Sequence, residues 1–137
     1  MKYSFDRLLI STSLISLLVL SCKRQGPYFS DYTNAKGYVI AKETCNLNTL
    51  QDYWLVDLTY WSDTPQYGDT ITVNNTTFTN VVKVKGLDQR LKQIDMAVSL
   101  YFKTVSPNKV ETTGCGVANP VTYKLKELFI INQGEIR

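Results

Sequence analysis

Residues 93–105, QIDMAVSLYFKTV, alternate without a break. Ile94, Met96, Val98, Leu100 and Phe102 fall on one side, and Asp95, Ala97, Ser99, Tyr101 and Lys103 on the other. A period of two describes an extended strand with one buried face; a helix would repeat every three to four residues. Beyond residue 20 no segment carries a long helical period. The chain is therefore expected to fold as an all-β protein.

Four other segments read as strands. They are KGYVIAKETC (36–45), DYWLVDLTYW (52–61), DTITVNNTTFTNVVKVKG (69–86) and VTYKLKELFIIN (121–132). In 52–61, Trp54, Val56, Leu58 and Tyr60 share a face. In 69–86, Asn74-Asn75 tolerates positive φ and suits a tight turn, with a long bulged strand as the alternative. In 121–132 the alternation runs to Leu125 and slips at Lys126-Glu127, as a bulge would make it do. LDQRLKQ (87–93) has room for one or two helical turns.

The order strand, strand, strand, short helix, strand, strand resembles that of a small five-stranded Greek-key (OB-like) barrel. The resemblance covers 36–132 and rests on pattern; a small β-sandwich or an up-and-down barrel would leave a similar trace. The domain is assigned to 36–137. In an OB-like barrel Cys45 would end the first strand and Cys115 would lie in the loop before the last. Those loops flank the usual ligand groove, so a bond between the two cysteines would brace it.

The N-terminus is of another kind. Lys2 and Arg7 precede an apolar run at 8–20, LLISTSLISLLVL. A positive head, a short apolar run and small residues at its end are the parts of a signal peptide, here 1–21. The run is shorter than the roughly 20 apolar residues of a membrane-spanning helix. Val19-Leu20-Ser21-Cys22 resembles the lipobox of bacterial lipoproteins. That resemblance implies cleavage before Cys22 and acylation of Cys22 with palmitate-like chains, which tether a protein to a bilayer without spanning it. Residues 22–35 then form the lipidated start and a flexible tether, rich in Gly, Pro, Ser and Asn. Lys23-Arg24-Gln25 lacks an acidic surface-export signal. The expected location is the outer membrane, facing the periplasm.

With Cys22 on lipid, Cys45 and Cys115 remain as a pair in an oxidising compartment, and a disulfide is expected, with two free thiols the alternative. Removing 1–21 from the 137-residue chain leaves 116 residues, enough for one domain with a modest core. Of 15 basic and 12 acidic residues that segment carries Lys2, Arg7 and Asp6, leaving 13 against 11. So even a balance argues against nucleic acid as a partner. There is no histidine. Ser-His and Cys-His nucleophiles are excluded, and the commonest proton shuttle and transition-metal ligand are missing. No metal or other cofactor is implied, and the chain reads as a non-enzyme.

Residues 59–69, TYWSDTPQYGD, carry the candidate ligand site. Tyr60, Trp61 and Tyr67 surround a Pro- and Asp-containing loop, and exposed loop aromatics are surfaces on which sugars and peptides stack. Capping the end of the barrel is the competing use for any one ring. Asp57, Asp63 and Asp69 lack the register of a calcium loop and read as solvated acids. Asp69-Thr70-Ile71 resembles an O-glycosylation sequon of one group of Gram-negative bacteria, with Thr70 as acceptor. The expected function is non-catalytic binding of an envelope protein or polysaccharide. The alternative is inhibition of an envelope-active hydrolase, a lysozyme or protease.

Overall fold

The computed structural model describes residues 32–136, apart from the side chains of 105–108. The signal peptide, Cys22 and the tether before Tyr32 lie outside the described residues. The described residues form six strands: β1 (Thr33–Lys42), β2 (Trp54–Asp57), β3 (Asp69–Val73), β4 (Thr76–Lys85), β5 (Ala97–Val110) and β6 (Leu125–Glu135). Single 3₁₀ turns occur at Thr49–Gln51 and Gln89–Leu91. The all-β expectation holds.

The strands form one sheet in the order β2-β1-β5-β6-β4-β3, and β2 also pairs with β4. That extra pairing closes a ring of β1, β2, β4, β6 and β5. All contacts are antiparallel except β4 with β6, where Val84 stands beside Leu128. Val81 of β4 faces Asp57 of β2 on one side and Asp69 of β3 on the other. β3 therefore takes the first half of the β4 edge that β6 takes further on.

Several sequence boundaries move. β1 begins at Thr33, inside the expected tether, because Thr33 and Asn34 pair with Phe102 and Tyr101 of β5. β2 is only four residues long and buried on both faces. Leu58 still donates its N–H to the Asn80 carbonyl at 3.0 Å, and the chain then leaves the sheet. The stretch 69–86 is two strands, with φ of 49° at Asn74 and 65° at Asn75. Positive φ at both central residues is the requirement of a type I′ hairpin turn.

In β5 Val98, Leu100 and Phe102 are buried as the alternation demands, while Tyr101 and Lys103 face out. Ile94 is exposed, because Asp95 sits at φ 66° and the strand starts only at Ala97. The slip in β6 falls where its pairing with β5 is irregular: Thr104 pairs with Leu128 and Lys109 with Lys126, so the extra residues belong to β5 and not to Lys126-Glu127. Leu125 and Leu128 are three apart, so they point to opposite faces, and each face has an apolar cluster to receive its leucine. A second irregularity puts an extra residue in β6 at Ile131, since Tyr101 pairs with Asn132 and Phe102 with Ile130.

The larger cluster includes Val39, Trp54, Val56, Leu58, Val82, Val84, Leu91, Val98, Leu100, Phe102 and Leu128. The smaller gathers Ile40, Leu55, Val73, Val81 and Leu125, flanked by Ile71, Phe78 and Tyr123. Beside it the segment before β6 is strapped down. Cys45 and Cys115 form the expected disulfide, with Cα atoms 4.5 Å apart. Thr44 and Val121 form a two-residue bridge. Glu43 Oε1 accepts from Lys83 Nζ at 2.7 Å and from the Tyr123 N–H at 2.7 Å. Thr112 Oγ1 donates to Glu43 Oε2 at 2.9 Å. Asp31–Arg137 is one compact unit with its own core, disulfide and strand pairings.

Candidate functional site

The loop at 58–68 follows β2 and is held by one buried side chain, Asn80 of β4. Asn80 Oδ1 accepts from Tyr67 N at 2.9 Å and Gly68 N at 2.7 Å, and its Nδ2 donates to Pro65 O at 3.0 Å. Its own N–H donates to Asp57 Oδ1 at 3.2 Å. Gln66 Nε2 adds bonds to Gly68 O at 2.9 Å and Thr79 O at 2.6 Å. Gly68 passes so close to the Val81 backbone that a Cβ there would overlap it. The loop is thus built onto the sheet at its base and offers its tip.

At the tip Tyr60 and Trp61 meet edge to face, centroids 5.2 Å apart. Tyr38 of β1 joins them, its ring 5.3 Å from Tyr60. Lys36 Nζ stands 5.2 Å from the Trp61 ring centroid and 6.0 Å from that of Tyr60, a cation–π arrangement. Trp61 remains 53% and Tyr38 41% exposed, so this cluster is a ledge and not part of the core. Next to it lies a depression of about 220 Å³ lined by Asn34, Ala35 and Lys36 of β1 and by Trp61, Asp63, Thr64 and Pro65 of the loop. Flat rings, one cation, one carboxylate and an amide converge there. Such a surface stacks a ring and hydrogen-bonds its hydroxyl or amide substituents.

The structure brings together two of the three predicted aromatics. Tyr67 goes elsewhere: its ring meets Phe102 edge-on at 5.2 Å and packs on the larger cluster. Lys36, Tyr38 and Asn34 were not legible as site residues. They belong to β1, and only the fold places them beside Trp61. Asn80 had a faint signal, a lone amide before the apolar Val81-Val82.

The aspartates separate. Asp57 is buried and accepts from Thr59 Oγ1 as well as Asn80 N, Asp69 pairs with Lys109 at 3.2 Å, and Asp63 lines the depression. Thr70 is exposed on β3, its hydroxyl 3.4 Å from Thr79 O. The disulfide ties residue 45 to residue 115, and neither of these loops contributes to the lining of the depression. Among the described residues no three Cys, Asp or Glu side chains are grouped to hold a metal ion.

Compared with protein-family models, with curated proteins and with solved structures, the chain has no match.

Proposed function

We propose that this is a lipid-anchored envelope protein whose folded domain binds a polysaccharide and catalyses nothing, with the Tyr38–Tyr60–Trp61–Lys36 ledge as its binding surface. The observation that carries this reading is Trp61 itself. An indole left 53% exposed, flanked by two tyrosines and a lysine, is an apolar surface kept in water at a cost. The adjoining Asn34, Thr64 and Asp63 supply the hydrogen-bonding groups that a sugar needs and that a purely apolar peptide contact would leave unsatisfied.

The closed ring of β1, β2, β4, β6 and β5, with its one parallel contact, supports an OB-type barrel in which β3 is an added hairpin arm. The lipobox pattern supports anchoring at Cys22 in the outer membrane, facing the periplasm. Thr70, exposed within Asp-Thr-Ile, is accessible as an O-glycosylation acceptor.

Capture of isolated envelope polysaccharide by the immobilised domain tests the function. Trp61→Ala abolishes capture while the thermal transition stays in place. Capture that survives the substitution removes the ledge from consideration. Tight, saturable inhibition of a lysozyme or protease would replace the polysaccharide reading with an inhibitory one. Intact mass of the membrane-extracted protein tests the rest: residues 22–137 plus acyl groups, with excess in hexose units if Thr70 is modified.

A further inference from the structure

A second exposed apolar surface lies on the outer face of β1, β5 and β6. Phe129 is 61% exposed, Tyr32 47%, Tyr101 45% and Ile131 40%. Strand register puts them side by side. Thr33 pairs with Phe102, so the preceding Tyr32 falls next to Lys103, and Lys103 in turn pairs with Phe129. The Lys103 ammonium stands 4.9 Å from the Tyr32 ring centroid. In the neighbouring row Tyr101 and Asn132 lie abreast, with the bulged Ile131 beside them, and Asn34, paired with Tyr101, marks the border with the depression beside Trp61. Lys103 and, on the other side of Phe129, the exposed Lys85 of β4 are the charged members of these two rows, and no carboxylate stands in either.

We propose that this face docks on an anionic lipid surface. Phe and Ile side chains have no use for a sugar ring's hydroxyls but enter the acyl boundary, while tyrosines settle at headgroup level and a lysine pairs with lipid phosphate. The occupant is also indicated by where the chain goes. Tyr32, itself part of the face, is reached from Cys22 over ten residues, at most about 35 Å of extended chain. A bilayer holding Cys22 is thus never far from this face, and weak contacts become effective through that tethering. The proposal rests on the anchored reading for this enhancement alone; the face has an affinity of its own that is measured without the anchor.

The test is flotation of the 31–137 domain with phosphatidylglycerol vesicles and with phosphatidylcholine vesicles. We expect salt-sensitive binding to the former and little to the latter. Lys103→Glu and Phe129→Ser each weaken it about fivefold or more, and Leu50→Ser, exposed in another loop, leaves it unchanged. In proteoliposomes of the full lipidated chain, hydroxyl-radical footprinting protects Tyr101 and Phe129 when the lipid is anionic and not when it is zwitterionic. Equal flotation with both lipids, or no effect of either substitution in a domain that keeps its thermal transition, overturns the proposal. So does loss of polysaccharide capture in Phe129→Ser, which would assign this face to the ligand. Failure of the Trp61 site leaves vesicle binding intact, so the two readings fail separately.

Discussion

Lys83 Nζ lies 2.7 Å from Glu43 Oε1, and both side chains are wholly buried. Lys83 also donates to Thr112 Oγ1 at 2.9 Å and to the Val110 carbonyl at 3.3 Å. The pair links the end of β1, the last residues of β4 and the segment that leaves β5. Desolvating two charges cancels most of their attraction, so such a pair adds little net stability. Removing one partner is a different matter, because the other is left charged in the core.

We predict that Lys83→Met destabilises the domain by about 3–5 kcal/mol, and Glu43→Leu by a similar amount. The double variant recovers most of that loss. Chemical denaturation of the three variants checks this; additive losses in the double variant would mean that the two residues act independently.

Cys45 and Cys115 close a chain separation of 70 residues. In the chain-entropy model that stabilises by about 4 kcal/mol. Cys45→Ser with Cys115→Ser should lower stability by an amount of this order and expose the 111–124 segment to protease first. The Trp61 ledge draws its lining from other segments and should keep its ligand at temperatures where the variant remains folded.

Asn80→Ala leaves the N–H groups of Tyr67 and Gly68 without their acceptor. The expected cost is about 3 kcal/mol, from unpaired buried donors. The loop tip should loosen as well, so ligand capture falls along with stability. Asn80→Asp keeps the acceptor oxygen and should restore part of both. Hydrogen exchange at Tyr67 and Gly68 reads the effect locally.

Asp52 is buried, which pushes its carboxyl pKa up, but hydrogen bonds outweigh this and hold it below the ordinary value. Asn46 donates both its backbone N–H and its side-chain amide to Oδ1, at 2.8 and 2.9 Å, and Cys45 donates its N–H at 3.1 Å. A carboxyl depressed in the folded state contributes stability above its unfolded pKa, near 3.8, and loses it as pH falls through the lower folded value. Stability should therefore decline on acidification through and below pH 4, and Asp52→Asn should flatten that decline. A pH series of thermal melts decides it.

The all-β class was legible because one buried face imposes a strict alternation, as in Val98, Leu100 and Phe102. The Asn74-Asn75 turn was legible because few residues accept its backbone. Elements with both faces buried were not. β2 reads as a longer half-buried strand because nothing in 52–61 reveals that its pairing stops with the Leu58 N–H on the Asn80 carbonyl. Leu125 and Leu128 look like a phase error until a second apolar cluster is known to exist. The ledge was half legible for a related reason. Tyr60 and Trp61 stand in an evident loop, whereas Lys36 and Tyr38 reach them only by pairing of distant strands.

The two tryptophans make the central claim directly measurable. Trp54 is 9% and Trp61 53% exposed, so a solvent-driven change in tryptophan emission reports the ledge. Emission should be followed while isolated envelope polysaccharide is titrated into the protein. We predict a saturable blue shift that disappears in Trp61→Phe. A titration without a saturable shift, or a shift that persists in Trp61→Phe, would contradict the assignment of the ledge as the binding surface.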